Sequence, residues 1–127
     1  MAQKLFALML ALTITVTWIG MSAAQHPATR QVLRVFTTTV LPDKRDQLPE
    51  VVENVSRTIA AAEGVLWFKV GSDPATGEIV VVSLWSNQAE IDAFLKTDAR
   101  KASIEKTSPL VQGEPSAKNY QVSEAKK

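Results

Sequence analysis

The stretch Val65–Trp85, VLWFKVGSDPATGEIVVVSLW, decides how the rest of the chain is read. Two runs rich in β-branched and aromatic residues flank a Gly-Ser-Asp-Pro-Ala-Thr-Gly segment, in which Gly71, Pro74 and Gly77 supply backbone angles for a reversal. This pattern predicts a β-hairpin. Ile79, Val80, Val81 and Val82 are apolar at successive positions, and successive strand side chains point to opposite faces. Both faces of the hairpin therefore call for a cover, because a sheet wetted on one side would alternate apolar with polar residues.

Toward the N-terminus, Gln31–Leu41, QVLRVFTTTVL, predicts a first strand by β-propensity. It too is apolar on both faces, with Leu33, Val35 and Leu41 on one and Val32, Phe36 and Val40 on the other. Pro42 and Asp43 end it, and a helix is expected from a cap at Asp46, with Pro49 in its first turn, to about Glu63. Leu48, Val51, Val52, Val55, Ile59 and Ala62 form its apolar stripe, Glu53 and Arg57 pair on its outer face, and Gly64 stops it. Asn54-Val55-Ser56 matches a glycosylation acceptor, but its place in mid-helix makes it a coincidence.

Beyond the hairpin, Asn87 with Glu90 three residues on opens a second helix, with Ile91, Phe94 and Leu95 on its apolar face. Thr97-Asp98 restarts the helix toward Lys106, Ser108-Pro109 breaks it, and Lys118–Ser123 is the last strand. The order strand, helix, strand, strand, helix, strand predicts an α+β, ferredoxin-like βαββαβ fold. Its antiparallel four-stranded sheet carries both helices on one face. The bare face, still apolar, is expected to pack on a second copy and form a homodimer.

The ends and the composition narrow the function. Of the 127 residues, 1–24 read as a signal peptide: Lys4, then the uncharged apolar run Leu5–Met21, then the small residues Ser22-Ala23-Ala24. The alternative is an uncleaved anchor, because a run of 17 residues just reaches the roughly 17 to 25 that a spanning helix needs. Residues 25–30 form a short lead, 31–123 the folded domain and 124–127 a frayed tail, and the protein is expected to be periplasmic or secreted with no membrane contact after cleavage. Removing residues 1–24 takes away one basic residue and no acid, leaving 13 of each sign in 103 residues. That near-neutral balance argues against a nucleic-acid partner, which would need a basic face. Lys96, Arg100, Lys101 and Lys106 cluster, but Asp92 and Asp98 are interleaved with them, which reads as a solvated helix face. With no Cys and a single His, at position 26, no metal cluster or Cys–His nucleophile can be assembled.

A Gly closing the first helix, an aromatic-rich strand, a hairpin and then Trp85-Ser86-Asn87-Gln88-Ala89-Glu90 at the strand-to-helix junction resemble the antibiotic biosynthesis monooxygenase (ABM) domain. The resemblance spans about Gln31 to Val122. It implies a dimeric α+β barrel and cofactor-free oxygenation of quinols or phenols, a small aromatic ligand being held between sheet and helices. Where many members carry a histidine this chain has Phe94, and a second falls near Ala99. In the heme-degrading branch the pocket Trp falls at Phe94 and the iron-ligating His at Ile104, while Phe36, Thr37 and Thr38 offer no counterpart to the first-strand Asn. An isoleucine cannot ligate iron, which argues against heme degradation.

The expected pocket has Phe36, Trp67, Trp85, Phe94 and Tyr120 as its floor, with Thr37, Thr38, Thr39, Ser83 or Arg34 as hydrogen-bond donors. Aromatics at these spacings equally suit a core, and Arg34 equally suits a rim residue paired with an acid. No catalytic residue is identified. A non-catalytic, small-molecule-binding or stress-associated barrel is the alternative to the enzyme.

The order of charge, apolar run and small residues predicts an exported form that begins at Gln25. The intact mass of protein recovered from periplasm or medium should equal that of residues 25–127, and a chain that keeps Met1–Ala24 and sediments with membranes would refute the cleavage.

Overall fold

The computed structural model describes residues 30–124. The segment 1–24 expected to be a signal peptide and most of the lead that follows it lie outside the described residues, and no helix among those described is long and apolar enough to cross a membrane. The elements run β1 (Val32–Thr39), α1 (Leu48–Ala60), β2 (Val65–Asp73), β3 (Glu78–Trp85), α2 (Gln88–Leu95), α3 (Asp98–Thr107) and β4 (Ser116–Gln121). Among the described residues the sheet is four-stranded and antiparallel in the order β2-β3-β1-β4, the ferredoxin-like α+β arrangement.

The hairpin turns more tightly than its glycines suggest. Gly71 lies inside β2, opposite Val80, and the reversal is confined to Pro74–Gly77. The Asp73 carboxylate accepts from Ala75 N–H at 2.9 Å and its carbonyl from Gly77 N–H at 2.7 Å, while Gly77 takes φ 77°, a left-handed angle that costs glycine little. Arg45 donates to the Ala75 and Thr76 carbonyls at 2.8 and 3.0 Å and so fastens the turn to the chain that follows β1.

The boundaries depart from expectation where local hydrogen bonding decides them. β1 stops at Thr39, and Val40 makes an isolated bridge to Val111. A 3-10 helix, Pro42–Gln47, takes up Asp46, so α1 is capped by Gln47 with no side-chain bond, although Pro49 does fall in its first turn. That helix ends at Ala60, before Glu63. Gly64, at φ 80°, accepts from Ser86 N–H at 2.9 Å, and a Cβ there would lie 2.5 Å from Glu90, so the chain must turn at a glycine. Asn87 accepts from Glu90 N–H at 2.9 Å and Thr97 from Arg100 N–H at 3.3 Å, the two caps that start α2 and α3. β4 is shifted to Ser116–Gln121 because its partner β1 begins at Val32, opposite Gln121. Asn54 donates to Ser103 at 3.0 Å, which ties α1 to α3 across one face of the sheet.

The helix-side face holds the core. Val40, Leu48, Val51, Ile59, Ile79 and Val81 form one buried cluster, and Val32, Trp85 and Ile91 a second. The opposite face presents Leu33 and Val35 from β1, Val82 and Leu84 from β3, Trp67 from β2 and Tyr120 from β4, as the strand register requires. Trp67 and Tyr120 remain 45% and 44% exposed, and no described element covers them.

Candidate functional site

A cavity of about 420 Å³ opens between the helix-side face of the sheet and helices α1 and α3. Sheet residues form its floor: Arg34, Phe36 and Thr38 on β1, and Val81, Ser83 and Trp85 on β3. They share one face because the strands run in antiparallel register, with Phe36 opposite Val81 and Arg34 opposite Ser83. Its walls come from α1 through Val51, Val55, Thr58 and Ile59, from α2 through Phe94, and from α3 through Arg100, Ser103, Ile104 and Thr107. The last four recur at three- and four-residue spacing, one helical face.

One end of the cavity is aromatic. The Trp85 and Phe94 rings lie 5.1 Å apart, centroid to centroid, tilted by 45°. Trp85 is only 1% exposed, and its indole N–H donates to the Ser83 hydroxyl at 2.8 Å, which satisfies a polar group that burial would otherwise leave bare. Trp85 is thus both core and cavity floor. Phe94, half-buried, packs against both core clusters and faces the same space.

The polar end is built differently from the expected acid-paired rim. Arg34 donates to Asn119 Oδ1 at 2.9 Å, and among the described residues neither Arg34 nor Arg100 makes an ion pair. Burial first, and the neighbouring charge of Arg100 second, push the Arg34 guanidinium below its ordinary pKa; burial does the same to Arg100. Lys96, Lys101 and Lys106 do stand in solvent, but Arg100, expected with them, turns into the cavity. Thr38 also faces it, 8% exposed, and its hydroxyl has no hydrogen-bond partner among the described residues.

Of the expected pocket residues, then, Phe36, Thr38, Trp85 and Phe94 come together, with Ser83 and Arg34. Trp67 and Tyr120 do not. Trp67 pairs with Leu84 and Tyr120 with Leu33, so both project from the opposite face of the sheet, as do Thr37 and Thr39. The bulge between Val65 and Trp67 produces the first placement, since it puts Leu66 out of register. Thr58 and Glu114 line the cavity without having been singled out in the sequence, and Arg100 lines it although it was read as part of a solvated face.

The model of the antibiotic biosynthesis monooxygenase family matches residues 31–106. No curated protein matches the sequence. Among solved structures, a candidate antibiotic biosynthesis monooxygenase from Caulobacter crescentus superposes with a TM-score of 0.65 at 20% identity, over 76% of this chain and 93% of that one. A second candidate of the same name, from Deinococcus radiodurans, gives 0.65 at 17% identity over 76% and 96%. A conserved protein from Methanosarcina mazei gives 0.62 at 15% identity over 74% and 94%. At these identities the likeness is one of fold.

Phe94 touches both core clusters but is only half-buried, so Phe94→Ala should destabilise the fold by about 2–3 kcal/mol, less than loss of a fully buried ring. Chemical denaturation of the purified variant measures it, and a change under about 0.5 kcal/mol would show that Phe94 carries no core packing.

Proposed function

Since the chain belongs to the antibiotic biosynthesis monooxygenase family, we propose that it is a cofactor-independent oxidoreductase that oxygenates a quinol- or polyphenol-like aromatic molecule outside the cytoplasm. The family match supports the monooxygenase-like part of this reading. The substrate class rests on one observation, a cavity whose floor and wall carry Phe36, Trp85 and Phe94 beside the unpartnered hydroxyl of Thr38. Flat rings stack on such a floor, and a ring hydroxyl is the group that the Thr38 oxygen can bind. The location rests on the export signal of residues 1–24.

A hydroquinone that takes up dioxygen and leaves as a hydroxyquinone plus water supplies every electron from its own ring. One oxygen atom joins the ring and the other departs in the water. The protein has then only to exclude solvent and hold the ring against the entering oxygen. The second reading, a binding protein without catalysis, is favoured by the state of the polar groups: the Ser83 hydroxyl is engaged by Trp85, and Glu114, the one carboxylate among the described residues of the cavity lining, is exposed.

The open face of the sheet supports a homodimer. Leu33, Val35, Val82, Leu84, Trp67 and Tyr120 would be covered by the same face of a second copy, and each large apolar side chain gains about 1.5–3 kcal/mol when fully buried. Sedimentation at micromolar concentration should give twice the chain mass, and a compact soluble monomer would refute this pairing.

Oxygen consumption on adding a panel of benzo- and naphthohydroquinones tests the enzyme reading. Uptake above the rate of spontaneous autoxidation, stoichiometric with hydroxyquinone formed, is the expected result; tight binding without uptake would leave the protein a binder.

A further inference from the structure

Two cations and an orphaned hydroxyl face one apolar cavity, and that combination selects among aromatic ligands. Arg34 enters from the floor, β1, and Arg100 from the α3 wall, and each guanidinium carries five N–H donors. Among the described residues, Arg34 spends one donor on Asn119, and the Arg100 side chain makes no hydrogen bond. A relay fixes the Arg34 head: Asn119 Nδ2 donates to Gln88 Oε1 at 3.3 Å, and Gln88 Nε2 donates to Asp92 Oδ1 at 3.0 Å. The acid at the end of that relay is three hydrogen bonds removed from the arginine, so it orients the charge without neutralising it. Glu114 on the lining makes no ion pair with either arginine. Like charges brought together in a part-dry cavity repel, and burial penalises each further; a shared anion relieves both costs. The rest of the lining is aromatic and aliphatic, and a volume of about 420 Å³ matches a small ring system.

Resting on the aromatic-ligand reading above, we propose that the cavity takes a planar aromatic anion, its ring against Phe36 and Phe94 over the buried Trp85 and its ionised oxygen between Arg34 and Arg100. The Thr38 hydroxyl donates to a second oxygen on the ring. Guanidinium donors bind an ionised hydroxyl or, bidentately, a carboxylate, and charge-assisted hydrogen bonds are about twice as strong as neutral ones. The ring stacking supplies affinity and the arginines supply selection.

Calorimetric titration with a matched pair of probes separates the two parts. 2-Hydroxy-1,4-naphthoquinone is ionised at neutral pH, and 2-methyl-1,4-naphthoquinone has nearly the same shape without charge; 1,4-dihydroxy-2-naphthoate serves as the carboxylate arm. The protein should bind the hydroxyl anion about tenfold more tightly than the methyl compound. Arg34→Gln and Arg100→Gln should each reduce that preference, and the double variant should bring it to within about twofold while keeping affinity for the neutral probe. Lys101→Gln, exposed on the same helix, should leave it unchanged. Thermal melts confirm that the variants fold, and the wild-type preference stands as a test without them. Equal affinity for ionised and neutral probes would overturn the anion assignment and leave the aromatic pocket in place. Binding of neither would sink the pocket reading itself. Tighter binding of the naphthoate than of the hydroxyl anion would assign the arginines to a carboxylate, and the reverse to an ionised ring hydroxyl.

Discussion

Burial of one row of β3 against the helices holds the molecule together. Ile79, Val81, Ser83 and Trp85 project to one side of a central strand that is hydrogen-bonded along both edges, and none is more than 3% exposed. Across the ladder they face Thr38, Phe36, Arg34 and Val32. The row is apolar except at Ser83, and that exception is satisfied by the indole N–H of Trp85, so the largest side chain in the core is buried without an orphaned donor. The floor of the cavity is therefore the same row that makes the core. Residues at its β1 partners decide where packing gives way to space: Phe36 continues the core, whereas Thr38 and Arg34 interrupt it.

The sheet imposes a second constraint, because only one of its apolar faces is used within the chain. A two-layer fold can place both helices on the same side only by leaving the other to solvent or to a partner. The exposed indole of Trp67 and the Tyr120 ring, with Lys118 Nζ 5.1 Å from its centroid, lie on that side. Substitutions on the two faces consequently act through different physics. Changes at Val81 or Trp85 disturb the core and cavity together, while changes at Val82 or Leu84 alter only the face that is uncovered here.

Much of this was legible because strand periodicity is strict. Strict alternation put Ile79 and Val81 on one face and Val80 and Val82 on the other, and the turn residues, the Asn87 and Thr97 caps and Gly64 placed every break within a few residues. Other features were set by contacts that the local sequence does not contain. Asp46 looked like a cap but was overtaken by a 3-10 helix whose Arg45 is anchored on the distant hairpin turn. Trp67 moved to the far face through a single bulge, since in a strand one extra residue inverts the side of all that follow. Arg100 was hidden among lysines. Its signal was a helical stripe of Arg100, Ser103, Ile104 and Thr107 with too little apolar character to be read as inward-facing.

That weak stripe is informative about why the cavity exists. A helix selected for packing alone would turn an apolar face to the sheet, yet α3 has no buried residue and leaves Ile104 42% exposed beside the space it borders. Thr107 turns its hydroxyl back to the Ser103 carbonyl of its own helix at 2.9 Å, and the Ser103 hydroxyl accepts from Asn54 on α1, so a polar contact, and no filled interior, ties the helix to its neighbour. Replacing Arg34, Thr38 and Arg100 with aliphatic residues would remove two partly desolvated like charges and an unpartnered hydroxyl at once, and replacements of this kind are commonly neutral or stabilising. Stability alone therefore gives no reason for these three groups to stand together on the lining, whereas a ligand that pairs with all three does.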